Sequence, residues 1–154
     1  MESASPGLKS EGERALRRTS DENLANQIRT NGVEAFVNKW ENIPLFATQK
    51  SLPPDVQQVV RQERLSQSEV GLANSLRGMG TGAQSSLWPY LGELTMPVTL
   101  ITGEHDSKFC KIAEEMQALL QNAQHVSVKK AGHAIHVENP EQFATIVKDA
   151  IKIK

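Results

Sequence analysis

Two loops of the sequence carry the residue types that general acid–base chemistry needs. Asp106 lies in the segment GEHD, directly after the apolar run at 97–102, and His133 lies in the segment AGH, after the run at 125–128. A carboxylate beside an imidazole holds the ring in one tautomer and stabilises the imidazolium that forms when the ring takes a proton. If the two loops meet in space, the sequence predicts an acid–base pair of Asp106 and His133.

A metal site is the alternative chemistry near His133. His136 follows three residues later and Glu138 two residues after that, but the segment between the strand and the next helix is too short for a third close ligand. Cys110 is the single cysteine, so neither an internal disulfide nor a thiolate zinc cluster is predicted. We therefore expect no metal at this position.

Alternating strands and helices in the C-terminal part must position the two loops. The β-branched run at 97–102 is typical of a buried parallel strand, and apolar residues at helical spacing follow it, with Ser107 expected to cap their helix. A second strand at 125–128 precedes a helix that Asn139 caps and Pro140 opens. Parallel strands present their carboxyl ends at one edge of a sheet, where ligands and catalytic groups gather, so the loops should be neighbours.

Residues 9 to about 94 show helical patterns and no convincing strand. Ser10 and Glu13 have capping-box spacing, and their helix should end at Gly32, with further helices over Val33–Trp40, from Pro53 and around 72–79. Leu16, Leu24 and Ile28 can line one side of the first helix, Val59 and Met79 belong to the apolar patterns of later helices, and Ile151 is expected to face inward on the last helix. Because these helices are short and polar, we predict a lid at 1–95 and the core at 96–154.

Composition excludes several classes of partner. Seventeen Lys and Arg against eighteen Asp and Glu leave a formal charge of −1, so no global field points to nucleic acid or to an anionic membrane. No apolar run reaches the roughly 18 residues of a membrane span, and the first twenty residues lack the apolar centre of a signal peptide. A cytoplasmic location is expected.

The motifs resemble a known family. MPVTLITGEHDSKF followed by VKKAGHAIHVENPEQF resembles the C-terminal part of the α/β-hydrolase fold, with a helical lid and the last two parallel strands with their helices. Together with SPGLKSEGERALRRTSD, FVNKWENIPLF and ERLSQSEVGLANSLRGMGTG, the chain resembles the 2-succinyl-6-hydroxy-2,4-cyclohexadiene-1-carboxylate (SHCHC) synthases of menaquinone biosynthesis. The resemblance covers nearly the whole chain.

The resemblance implies an activity and a set of site residues. Synthases of this family eliminate pyruvate from a succinylated cyclohexene carboxylate through a Ser-Asp-His triad, and they need no cofactor. The resemblance places the triad acid on Asp106 and the triad histidine on His133. The residues that it assigns to binding the small carboxylate substrate are Arg17, Arg64, Trp40 and Phe46.

One part of the family pattern is missing from this sequence. The nucleophile motif Gly-x-Ser-x-Gly and a His-Gly-Gly oxyanion loop are both absent, so the catalytic serine is expected in an N-terminal half of the complete enzyme. We therefore expect the isolated polypeptide to be inactive and poorly soluble. Two alternatives stay open: a fragment of another α/β-hydrolase such as an esterase, and a binding module without catalysis.

Overall fold

The computed structural model describes residues 1–152, so the predicted core segment 96–154 ends in two residues, 153 and 154, that lie outside it. The helices are α1 (Glu11–Trp40), α2 (Pro54–Leu65), α3 (Glu69–Met79), α4 (Ser107–Leu119), α5 (Ile135–Glu138) and α6 (Pro140–Lys152). The strands are β1 (Val98–Gly103) and β2 (Ala123–Val128), and 3₁₀ helices span Pro44–Ser51 and Trp88–Glu93. No helix among residues 1–152 is long and apolar enough to cross a membrane.

The chain forms two compact units. Unit 1 contains Met1–Ser5, Pro44–Leu52 and the chain from Pro89 onward, and unit 2 contains Pro6–Ile43 and Pro53–Trp88. Unit 1 therefore holds both strands, whereas unit 2 holds α1, α2 and α3. The assignment of 1–95 as a lid and 96–154 as a core stays a prediction.

A short parallel sheet organises unit 1. β1 and β2 pair in parallel from Val98 opposite Ala123 to Gly103 opposite Val128, as the predicted strand order requires. On its other edge, β1 forms a parallel bridge between Ile101 and Glu2, with Ser3 N–H donating to the Ile101 carbonyl at 2.8 Å. The predicted strands are thus present, and the segment at Met1–Ser3 runs beside the first of them.

The core of unit 1 lies directly under the end of the sheet. Ile101, Val128, Ala131 and Ile135 are all buried, and partly buried side chains of α6 pack against them. Asn139 begins α6 as predicted, because its side-chain oxygen accepts the Gln142 N–H at 3.2 Å. The apolar cluster thereby supports the loop that carries His133.

Local sequence rules also explain α1 in unit 2. The capping box is present, with the Glu13 N–H donating to Ser10 Oγ at 3.2 Å and the Ser10 N–H donating to Glu13 Oε2 at 2.9 Å. Gly32 interrupts the helix with φ 83°, a left-handed value that glycine tolerates, so the predicted break is found as a kink. Ile28 is buried as expected.

Four residues of the apolar helical patterns are exposed. Leu16 is 76% exposed, Val59 58%, Met79 81% and Ile151 76%. Helical periodicity groups residues on one face but does not say where along that face another element covers them. The prediction that Ile151 faces inward was wrong for that reason.

Candidate active site

Asp106 is fixed at the start of α4. β1 ends at Gly103, and the Asp106 N–H donates to the Gly103 carbonyl at 3.0 Å, which closes a tight turn. The Asp106 Oδ1 atom accepts the Phe109 N–H at 3.3 Å, so Asp106 and not Ser107, as predicted, is the N-cap of α4. One carboxylate oxygen therefore orients the side chain and the other is left for a second partner.

The loop that carries His133 is fastened to the loop that carries Asp106. The Glu104 N–H donates to the Val128 carbonyl and the His105 N–H to the Ala131 carbonyl, both at 2.9 Å. A Cβ on Gly103 would collide with the carbonyl oxygens of Gly132 and Ala131. Glycine at 103 is what allows the two loops to approach this closely.

His133 and Asp106 form a direct pair. His133 Nδ1 lies 2.7 Å from Asp106 Oδ2, with the Asp106 side chain 4% exposed and the His133 side chain 22% exposed. An ionised carboxylate only accepts hydrogen bonds, so the proton belongs on Nδ1 and Nε2 is left with its lone pair. No partner for Nε2 is found among residues 1–152, and an imidazole held in this way can take a proton from a neighbouring group.

Two aromatic rings flank the His133 imidazole. The Phe109 ring centroid lies 4.6 Å from that of His133, and the Phe46 centroid lies 6.2 Å away in an edge-on arrangement. Phe46, a predicted site residue, is buried in the 3₁₀ helix at Pro44–Ser51. Phe109 was predicted only as a helix residue; its position three residues after the capping Asp106 places it one turn along the same helix face, which could have indicated its position.

The second histidine and the glutamate of the same motif contact other parts of unit 1. His136 Nδ1 pairs with Glu2 Oε2 at 2.9 Å, and Glu138 Oε2 accepts the Gly132 N–H at 2.6 Å. Among the described residues, no three His, Cys, Asp or Glu side chains are arranged to hold a metal ion. His136 therefore contacts the N-terminal segment, and Glu138 contacts the backbone of the loop that carries His133.

Arg17 lies on α1 in unit 2. Its Nε–H donates to Asp21 Oδ1 at 2.8 Å, and the Asp21 side chain is 5% exposed whereas that of Arg17 is 43% exposed. No partner is described for the two terminal nitrogens of the Arg17 guanidinium. With this geometry, the two terminal nitrogens of the guanidinium can donate parallel hydrogen bonds to a carboxylate.

Trp40 and Arg64 line one cavity in unit 2. The cavity measures about 220 Å³, and apolar side chains of α1 and α3 provide most of its wall. Partial burial lowers the pKa of Arg64 from its usual value, and the nearby Glu41 carboxylate counteracts this shift. The Trp40 ring stacks on Phe36 at 5.3 Å between centroids. A cation beside an aromatic wall can bind a small apolar carboxylate, and a role for these residues in binding remains a prediction.

Comparison with known proteins identifies the relatives of this chain. No protein-family model matches the sequence. A Bacillus subtilis protein provisionally named an SHCHC synthase is 49% identical over 149 residues, which is 97% of this chain and 54% of that protein. The structure of MenH from S. aureus superposes with a TM-score of 0.96 at 42% identity, covering 98% of this chain and 57% of the other.

A more distant structure shares the fold alone. An esterase from Thermogutta terrifontis superposes with a TM-score of 0.72 at 23% identity over 89% of this chain and 50% of that chain. The chain therefore has the fold of the C-terminal part of an α/β-hydrolase. It spans about half the length of the curated relatives that it matches.

Proposed function

Because this chain is a relative of the SHCHC synthases and matches their C-terminal half, we propose that it supplies the acid and the base of an SHCHC synthase acting in menaquinone biosynthesis. The observation that carries the proposal is the 2.7 Å contact between His133 Nδ1 and Asp106 Oδ2. His133 is the base, and Asp106 holds it in the productive tautomer. We also propose that the protein acts in the cytoplasm.

The proposed reaction is an elimination. His133 Nε2 takes the proton of a serine, and the serine oxygen abstracts a proton from the substrate. The electron pair of that C–H bond forms a new double bond, and the electron pair of the breaking C–O bond leaves with the oxygen as the enolate of pyruvate. The enolate takes up the proton held by His133 and is released as pyruvate. Asp106 stabilises the imidazolium of His133 while it holds the proton. The sequence contains no Gly-x-Ser-x-Gly, so we assign the serine to the half of the relatives that this chain does not match.

Four side chains are proposed to recognise the substrate. The name of the related synthase specifies a product with a ring carboxylate and a succinyl group, and we propose that Arg17 and Arg64 bind such carboxylates. Trp40 and Phe46 would provide apolar contact with the ring. The free terminal nitrogens of Arg17 and the aromatic wall beside Arg64 support these assignments.

A joined protein tests the proposal. The full chain is fused at Met1 to the N-terminal part of the Bacillus subtilis relative that it does not match, and pyruvate release from the succinylated precursor is measured. We expect His133→Ala to lower kcat at least about 1,000-fold while the fold is kept. The matched control is His105→Ala, an exposed histidine beside the same acid, which should leave kcat unchanged.

The opposite results would reject the proposal. If the joined protein releases pyruvate equally well with alanine at position 133, His133 is not the base. If the joined protein folds, hydrolyses simple esters and releases no pyruvate, the chain belongs to a hydrolase and not to a synthase.

A further inference from the structure

Glu138 directs its carboxylate at the backbone of the loop that carries His133. Its Oε2 atom accepts the N–H of Gly132, the residue before His133, at 2.6 Å. Its Oε1 atom is fully buried and has no hydrogen-bond partner among the described residues. Burying a carboxylate oxygen without a hydrogen-bond partner is unfavourable, and the half-buried Glu138 side chain nevertheless directs its other oxygen at the Gly132 amide.

The surroundings of Gly132 show how tightly this loop is held. A Cβ on Gly132 would lie 3.1 and 3.2 Å from the two Glu138 carboxylate oxygens and would collide with the Thr48 hydroxyl on the 3₁₀ helix. The Thr48 hydroxyl is likewise buried without a partner among residues 1–152. The Glu138 carboxylate and the Thr48 hydroxyl therefore both lie close to Gly132, where only glycine fits.

Hydrogen bonds hold the backbone on both sides of His133. Glu138 accepts the N–H of Gly132, and the Ser3 hydroxyl donates to the carbonyl of His133 at 2.8 Å. The first bond holds the peptide group between Ala131 and Gly132, and the second holds the peptide group that follows His133, so together they restrict the backbone rotations that set the direction of its Cα–Cβ bond. The 2.7 Å contact of His133 with Asp106 depends on that direction.

The neighbouring acid–histidine pair does not serve this purpose. The His136 side chain that pairs with Glu2 is 56% exposed, and an exposed ion pair contributes little to holding a loop. Glu138, in contrast, is bonded to the backbone inside the unit.

We propose that Glu138 is a positioning residue, which sets the His133 imidazole against Asp106 by anchoring the Gly132 amide. The catalytic meaning of this role rests on the proposed function, whereas the positioning itself is a property of the chain as it stands. Glu138 acts through the loop and does not touch the substrate.

The test compares three variants of Glu138 in the full chain by NMR. Glu138→Ala removes the acceptor, and Glu138→Asp shortens the side chain so that it no longer reaches the Gly132 amide. We expect the Nδ1 proton of His133 to exchange with water at least about tenfold faster in both the Ala and the Asp variant, because the imidazole loses its fixed contact with Asp106. Glu138→Gln keeps an acceptor oxygen at the same distance from the backbone, so the Nδ1 proton should exchange as slowly in this variant as in the wild type.

The matched control is Glu141→Ala, an exposed glutamate three residues away that should leave the His133 resonance unchanged. In the joined protein, Glu138→Ala should lower kcat between about 10- and 100-fold with little change in KM. A wild-type His133 Nδ1–H resonance in folded Glu138→Ala would overturn the inference. Loss of the fold in both the Ala and the Asp variant would also overturn it, since Glu138 would then be a folding residue.

The two proposals can fail separately. If His133→Ala abolishes pyruvate release while the Glu138 variants keep full kcat, only the positioning role is lost. If His133 proves dispensable for pyruvate release, the proposed function is lost, and the NMR comparison still decides whether Glu138 orients the ring.

Discussion

Gly103→Ala should separate the two loops of the acid–base pair. The added Cβ would collide with the carbonyl oxygens of Gly132 and Ala131 and lie 2.6 Å from the Ala131 carbonyl carbon. That carbon would have to retreat by about 0.9 Å to reach the usual 3.5 Å separation of carbon atoms. All three obstructing atoms belong to the backbone, so no side-chain rotation can relieve the overlap.

The expected cost follows from this displacement. Overpacking of a closely packed site typically costs about 1–3 kcal/mol, and a rigid backbone places Gly103→Ala at the upper end, near 3 kcal/mol. The carbonyl that accepts the His105 N–H belongs to Ala131, so its movement weakens the fastening between the loops. A shift of nearly 1 Å between His133 and Asp106 should lower kcat of the joined protein about 100-fold.

The assay is urea denaturation of the full chain, combined with NMR of the His133 Nδ1–H. Gly78→Ala is the matched control, because a Cβ at this position in α3 meets nothing within 4 Å. The control should stabilise the chain by about 0.5–1 kcal/mol, since alanine favours helices over glycine. If Gly103→Ala keeps both the wild-type unfolding free energy and the wild-type His133 resonance, the close approach of the loops does not matter as argued.

Two further predictions concern ion pairs of unit 2. Asp21→Ala should lower the free energy of unfolding by about 1–2 kcal/mol in urea denaturation, because the Arg17 Nε–H loses its carboxylate partner. The control is Glu34→Gln, at an exposed site on the same helix, which should change the free energy of unfolding by less than about 0.5 kcal/mol. The side-chain hydrogen bond from Arg77 lowers the pKa of Glu22. The stabilisation from this bond is present above the unfolded pKa and is lost as pH falls through the lower folded value. The stability difference between wild type and Glu22→Gln, measured by urea denaturation, should therefore shrink progressively once the pH falls below the usual glutamate value of 4.5. An unchanged difference at the lower pH would contradict the second prediction.

Local patterns in the sequence predicted much of the fold. The capping box at Ser10, the break at Gly32 and the start of α6 at Asn139 depend on residues within one helical turn, so the sequence alone specifies them. Both strands were predicted because their apolar runs are short, β-branched and bounded by turns. The cap of α4 was predicted at Ser107, whereas Asp106 caps the helix; the sequence does not separate them because either residue type can cap a helix.

The geometry of the candidate site depends on contacts between distant segments, which the sequence shows less directly. The encounter of Asp106 with His133 could be predicted from parallel strand order, which brings carboxyl ends together. The contacts of Phe46 with His133 and of Glu138 with Gly132 could not, because no periodicity specifies which loop backbone a side chain will meet. The roles of these residues in binding and catalysis stay predictions.

The bond from the Ser3 hydroxyl to the His133 carbonyl also bears on the order in which the chain folds. It joins residues 130 positions apart, and the neighbouring Glu2 reaches His136 across 134 positions. The entropy lost in closing a loop rises with its length, so contacts that close nearly the whole chain form late unless earlier contacts have shortened the effective loop. The segment bearing His133 should therefore gain its final conformation only in the last stage of folding, after the strands and α4 have assembled. During synthesis, that stage must await the emergence of the His133 segment from the ribosome.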